Sequence, residues 1–255
     1  MIEDLKGKVV LVTGASTGIG AAAARAFGAH GARVAVHYNA SKEAAELVAA
    51  DIRKAGGESA MVAGDVTKAG KAKDIVDQVV AGFGRLDVLI NNAGGLVRRT
   101  PIAEYTDEFV ESVLALNVKQ VVSFVREAAI AMRRQGGGGN IINVSSIAAR
   151  HGGGPGSVIY AATKGFVSTA TRGWAKELVG DAIRVNAISP GVVMTPFHER
   201  YSTPELLKTM QATIPMNRLG AADECSGAFL FLASESMSSY VTGQIIEING
   251  GQLMP

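Results

Sequence analysis

The stretch "KVVLVTGASTGIGAAAARAF", residues 8–27, changes character at its middle. Its first part is an apolar, β-branched run suited to a buried strand, and its second part is Ala-rich and suited to a helix. Gly14, Gly18 and Gly20 stand at the join. Glycines there allow a tight bend and a close backbone approach to a ligand, while the free N–H groups and positive dipole of the helix start stabilise an anion such as a diphosphate. The spacing is G-x-x-x-G-x-G, a weak signal by itself in a chain with 31 glycines among 255 residues. Its place between a strand and a helix makes it a dinucleotide site, with Gly14, Ser16, Thr17, Gly18, Ile19 and Gly20 at the cofactor.

The same alternation continues along the chain. "RVAVHY" precedes a helical segment at 41–55, "ESAMVAG" one at 68–83, and "LDVLINN" a long one from about 107 to 134. After "QGGGGN" come "IINVSS", a helix at about 158–178, "IRVNAIS", a helix around 223–233 and "GQIIEING". Seven strand-like runs separated by helices predict an α/β fold: a doubly wound, Rossmann-type parallel seven-stranded sheet with helices on both faces. No Pro- or Ser-rich linker divides the chain, so a single domain over 1–255 is expected. The irregular, Pro-punctuated part at about 190–218 leaves the carboxyl end of the sixth strand, where open α/β sheets bind ligands, and reads as a substrate lid.

Composition narrows the class. The net charge is +2, with Lys and Arg dispersed, so nothing points to a nucleic-acid partner. No window approaches the ~18 apolar residues of a membrane span, and residues 1–8 hold no signal-peptide core, so no membrane partner and a cytoplasmic location are expected. Cys225 is the only cysteine, which excludes an intrachain disulfide and any multi-cysteine metal site. It lies in the apolar "DECSGAFLFLA" and is expected to be a packed thiol; no metal is expected.

At the second strand, NAD-binding sheets usually present an acid to the ribose 2′-hydroxyl. Here the strand runs into "AVHYNASKE" with no acid before Glu43. A carboxylate would repel a 2′-phosphate, so its absence favours NADP(H), with NAD(H) possible. Tyr38 and Asn39 would lie at this end, with His37 and Lys42 as the nearby cations.

Tyr-x-x-x-Lys occurs twice, at Tyr38 and Lys42 and at Tyr160 and Lys164. The first pair straddles a strand end and a loop. The second falls within a helix, where residues four apart share a face. An ammonium about 5 Å from a phenol at an effective dielectric near 20 contributes ~3 kcal/mol, hence roughly two pKa units in favour of the phenolate. That would bring the phenol towards the working range of a general acid or base. A carbonyl being reduced also needs a second donor for its growing negative charge, and "IINVSS" ends a strand with Ser145 and Ser146. Alternation sends only one of them towards the cofactor.

"TGASTGIG", "NNAG" at 91–94, "NVSS", "YAATK" and "ISPGVVMT" occur in the order and spacing of the short-chain dehydrogenase/reductase family, which the chain resembles from about residue 5 to 252. The resemblance implies a tetrad of Asn117, Ser146, Tyr160 and Lys164. In it Ser146 orients the carbonyl, Tyr160 transfers the proton, Lys164 holds the ribose and lowers the Tyr160 pKa, and Asn117 positions a relay water. It further implies Asp65 and Val66 at the adenine, Asn91, Asn92, Ala93 and Gly94 along the cofactor, and Pro190, Gly191, Val193 and Thr195 at the carboxamide. Members preferring NADP often carry a base at position 17 or 39, where this chain has Thr17 and Asn39, which leaves dual cofactor use open. Association as a homotetramer, on the helices near 107–134 and 158–178, is implied as well.

Within the family the chain resembles 3-oxoacyl-carrier-protein reductases in general. It resembles more closely the bacterial reductases of the alginate-derived, uronate-based α-keto aldehyde, through "NNAGGLVRR", "HGGGPG", "TPFH", "IPMNRLG" and "TGQIIEINGGQ". A small, carboxylated carbonyl substrate needs cations at its pocket. Arg98 and Arg99 follow the fourth strand, Arg150 and His151 follow Ser146, and His198 and Arg200 lie in the expected lid. The expected activity is NAD(P)H-dependent carbonyl reduction of a sugar-acid-like substrate, with oxoacyl reduction as the alternative. A non-catalytic dinucleotide sensor would be expected to lack part of the tetrad, and none is missing.

Overall fold

Every side chain of β1 (Val9–Val12) is buried, with Val10 and Val12 in one apolar cluster and Val9 and Leu11 in another. A strand buried on both faces belongs in the middle of a parallel sheet covered by helices. The computed structural model describes residues 1–255 and bears this out. The other strands are β2 (Arg33–Tyr38), β3 (Glu58–Ala63), β4 (Val88–Asn91), β5 (Gly139–Val144), β6 (Ile183–Pro190), the short pair β7 (Val193–Met194) and β8 (Gly220–Ala221), and β9 (Ile245–Ile248). Seven of them form one all-parallel sheet in the order β3-β2-β1-β4-β5-β6-β9, and β7 pairs with β8 separately.

The helices in chain order are α1 (Gly18–Ala29), α2 (Lys42–Lys54), α3 (Lys71–Phe83), α4 (Asp107–Leu114), α5 (Gln120–Gln135), α6 (Ala148–His151), α7 (Val158–Leu178), α8 (Pro196–Tyr201), α9 (Pro204–Ala212), α10 (Ser226–Ala233) and α11 (Glu235–Ser238). α1, α2 and α10 pack on one face, where Phe27, Ile52 and Phe229 are fully buried. α3, α5 and α7 cover the other, around Ile75, Phe124 and Val167. No helix is long and apolar enough to cross a membrane. The strand order reverses between β1 and β4, and the crevice at such a switch point, beyond the carboxyl ends, is where open α/β sheets bind ligands.

Two elements differ from expectation. The helix expected over about 107–134 is interrupted by a π-helical turn at Ala115–Lys119, whose extra residue per turn leaves no mark on the apolar pattern. Residues 190–218 are not irregular: they hold α8 and α9, each opened by a proline in its first turn. Proline suits that position because its missing N–H would have no helical partner there.

Candidate active site

A cleft of about 870 Å³ opens along the carboxyl ends of the strands. Gly14, Ser16, Thr17, Gly18 and Ile19 line one end of it, at the start of α1. Thr17 caps α1 without a side-chain hydrogen bond, and no acid lies in the first turn, so the leading N–H groups face the cleft unanswered. Gly14 and Gly18 hold φ of +62° and +57°, where a side chain is strained, and a Cβ on Gly14 would come within 3.1 Å of Ala93 Cα. Asn92 Nδ2 donates to the carbonyls of Thr13 and Gly14, and Thr13 Oγ1 accepts from the N–H groups of Asn92 and Ala93. These bonds tie the glycine turn to the chain leaving β4. Such a rigid cradle, too tight for side chains and rich in N–H groups, fits a dinucleotide diphosphate.

Gly20 does not line the cleft; a Cβ there would overlap the Asn92 amide and the Gly14 carbonyl, so its bareness lets α1 seat against the turn. Asp65, at the end of β3, lines the cleft with Val66; Asp65 Oδ1 takes both the N–H and the hydroxyl of Thr67. Those bonds hold the carboxyl below its ordinary value, so it stays an acceptor. Asn39, Ala40 and Ser41 line the wall beside β2. Tyr38 does not: it packs partly buried against the apolar core. Lys42 turns along α2 to Glu46, at 3.6 Å, rather than into the cleft.

His37 is no cation either. Its Nδ1 lies 3.0 Å from the N–H of Gly14, which can only donate, so the proton sits on Nε2 and goes to the Gly64 carbonyl at 3.0 Å. Burial keeps it below its ordinary value of 6.5. The unfolded chain therefore takes up this proton first as pH falls through 6.5, so the stabilisation is complete above that value and is lost towards more acid pH. Thermal melting should weaken for the wild type below about pH 6.5, and cofactor titration only at more acid pH, once His37 is protonated in the folded chain. His37→Asn, which offers Gly14 an acceptor that does not titrate, should show a shallower acid loss; parallel profiles would remove His37 from this role.

At the other end of the cleft stand Ser146, Tyr160 and Lys164. The two serines after β5 part as alternation requires: the Ser145 hydroxyl donates to the Lys164 carbonyl and bonds the Ser168 hydroxyl, whereas Ser146 faces the phenol of Tyr160. Lys164 Nζ donates to the Val144 carbonyl at 2.8 Å and lies 5.7 Å from the centre of the Tyr160 ring. Burial pushes the phenol up to about 12, with Ser146 opposing, and pushes Lys164 down to about 8. This reverses the expected direction for the phenol. Desolvation, which penalises both ionised forms, outweighs the attraction between ammonium and phenolate.

Asn117 sits in the π-helical turn and is buried. Its Nδ2 donates to the carbonyls of Gly95 and Val113, and its Oδ1 accepts from the N–H of Gly95. The side chain is thus fully engaged with the main chain of Gly95 and Val113. A Cβ on Gly94 would meet Asn117 Oδ1 at 2.9 Å and Lys164 Nζ at 3.4 Å, so Gly94 separates the two. Pro190, Gly191, Val193 and Thr195 line the cleft between them and the start of α1. Asn91 is buried beneath the cleft, donating to Asn143 Oδ1, and does not line it.

The cations are sorted differently from expectation. Arg98 points away, stacking over Phe109 at 4.9 Å, and Arg150 is exposed outside the cleft. Arg99, His151, His198 and Arg200 line it, and Asp65 at the far end is the only carboxylate that does. A separate cavity of about 370 Å³ lies under β7 and β8 and includes Cys225, whose thiol burial pushes up to about 12.

A protein-family profile described as "Enoyl-(Acyl carrier protein) reductase" matches residues 14–252. The 3-oxoacyl-[acyl-carrier-protein] reductase FabG of Thermotoga maritima is 40% identical over 248 residues, 97% of this chain and 98% of that one. The solved NADH-dependent reductase A1-R′ responsible for alginate metabolism superposes with a TM-score of 0.90 at 36% identity, over 99% of this chain and 100% of its own. Its complex with NAD superposes at 0.89 over 100% of both. Whole-length likeness to these enzymes makes this chain an NAD(P)-dependent member of the short-chain dehydrogenase/reductase family.

Proposed function

We propose that the chain reduces the carbonyl of a small, carboxylated, sugar-acid-like substrate. The carrying observation is the charge of the substrate end, where the guanidinium groups of Arg99 and Arg200 line the cleft with His151 and His198 and no acid does. The bound cofactor supplies the hydride. Tyr160 gives its phenolic proton to the carbonyl oxygen and is well suited to do so, since a phenol pushed up to about 12 is fully protonated at neutral pH. Ser146 donates to the same oxygen, Lys164 holds the ribose and a positive charge beside the phenol, and Asn117 positions a relay water. Residues 190–218 close over the substrate as a lid.

The wall formed by Asn39, Ala40 and Ser41 carries no charge. It admits a 2′-phosphate without gripping it, so NADPH is favoured modestly and NADH is accepted. Val122, Val158 and Phe166 leave exposed apolar surface on α5 and α7, consistent with assembly as a homotetramer on those helices.

The second reading, 3-oxoacyl-carrier-protein reduction, is favoured by the Thermotoga maritima relative. Loss of NADPH and NADH absorbance, followed with the alginate-derived keto aldehyde and with an acetoacetyl thioester, separates the two. Faster turnover of the keto aldehyde is expected. A tenfold preference for the thioester would move the chain to the second reading.

A further inference from the structure

Arg99 joins three parts of the cleft that are distant in sequence. It follows β4; its Nε donates to the Tyr201 carbonyl at the end of α8 at 2.8 Å, and its Nη1 donates to the Pro155 carbonyl in the loop before α7 at 2.9 Å. That loop is pressed against it, since a Cβ on Gly156 would stand 2.9 Å from Thr100 N and 3.0 Å from Arg99 Cβ. A guanidinium carries about five N–H donors, so the two engaged here leave about three. No carboxylate answers its charge: the one acid lining the cleft is Asp65 at the opposite end. Burial without a counter-ion lowers Arg99 from its ordinary value, and His198 beside it is held neutral by burial and by that charge.

A half-buried cation with free donors and no partner is costly unless something completes it. From Tyr201 the wall continues through Phe197, with ring centres 5.0 Å apart, to Tyr160, 5.8 Å further on. The arginine and the proton donor therefore lie along one surface. We propose that Arg99 is the substrate's carboxylate anchor, holding the acid end of an oxo sugar acid by a forked contact while the carbonyl lies against Ser146 and Tyr160. Its bonds to α8 and to residue 155 keep the fork aimed. This inference rests on the carboxylated-substrate reading and names the residue that enforces it.

The test measures KM and kcat for the carboxylated keto aldehyde and for its uncharged methyl ester, in the wild type, Arg99→Gln and Arg99→Lys. Wild type should prefer the carboxylate. Arg99→Gln should raise the carboxylate KM on the order of 10- to 100-fold more than the ester KM, whose own change reports the two lost loop bonds. Arg99→Lys should recover part of the loss, because it restores the charge without the fork. If Arg99→Gln retains the wild-type preference, or loses both substrates equally, the anchor is overturned while the substrate reading stands. A wild type that favours the ester overturns both. Should Arg99→Gln fail to fold, the Lys variant decides alone: a KM rise confined to the carboxylate supports the anchor, and an equal loss overturns it.

Discussion

Tyr160→Phe is expected to lower kcat/KM by at least about 10³-fold while the Kd for the dinucleotide moves by less than about threefold. The substitution removes one oxygen and keeps the ring that packs against Phe197 and faces Lys164 Nζ. What is lost is the only phenolic proton beside Ser146, and neighbouring groups cannot replace it. Ser146 is a far weaker acid, and Lys164 is tied to the Val144 carbonyl. The cofactor cradle at Gly14, Gly18 and Asn92 is made elsewhere, so equilibrium titration should find it intact. Turnover within tenfold of wild type would show that the proton comes from another group.

The parts of this protein written in local pattern were readable in advance. β1 and α1 are adjacent in sequence, and the seven apolar runs fall in the observed sheet. α7 spans Val158–Leu178 as its spacing indicates, which places Tyr160 and Lys164 on one face. The misreadings concern directions that spacing does not encode. Arg98 and Arg99 are neighbours after β4, yet one stacks on Phe109 and the other enters the cleft, because only Arg99 meets the carbonyls of Tyr201 and Pro155. His37 looked like a spare cation, but β2 turns it inward between Gly14 and Gly64. The π-helical turn that buries Asn117 depends on its bonds to Gly95, a contact across 22 positions. The direction of the Tyr160 shift needed the depth of the cleft, which no residue pair reveals.

Lys164→Met should abolish turnover, by at least about 10³-fold, and at the same time favour the folded state at neutral pH. The ammonium beside the phenol vanishes, and with it the charge that stabilises a developing phenolate. The stability effect follows from burial, which holds Lys164 at about 8 instead of 10.5. As pH falls through 10.5 the unfolded chain binds this proton before the folded one, so the native protein loses stability down to about 8, below which the penalty is constant. The full span is on the order of 3 kcal/mol. Met carries no such penalty, although it leaves the Val144 carbonyl without its donor, a pH-independent loss of about 1–3 kcal/mol. The quantity to measure is therefore the difference in unfolding free energy between variant and wild type, by denaturant titration at about pH 7, 8, 9 and 10. It should shift towards the variant by on the order of 3 kcal/mol from the alkaline to the neutral end, since the other titrating groups cancel. A flat difference would mean that Lys164 keeps an ordinary pKa in the folded chain, and that the pocket around Tyr160 is far wetter than its packing implies.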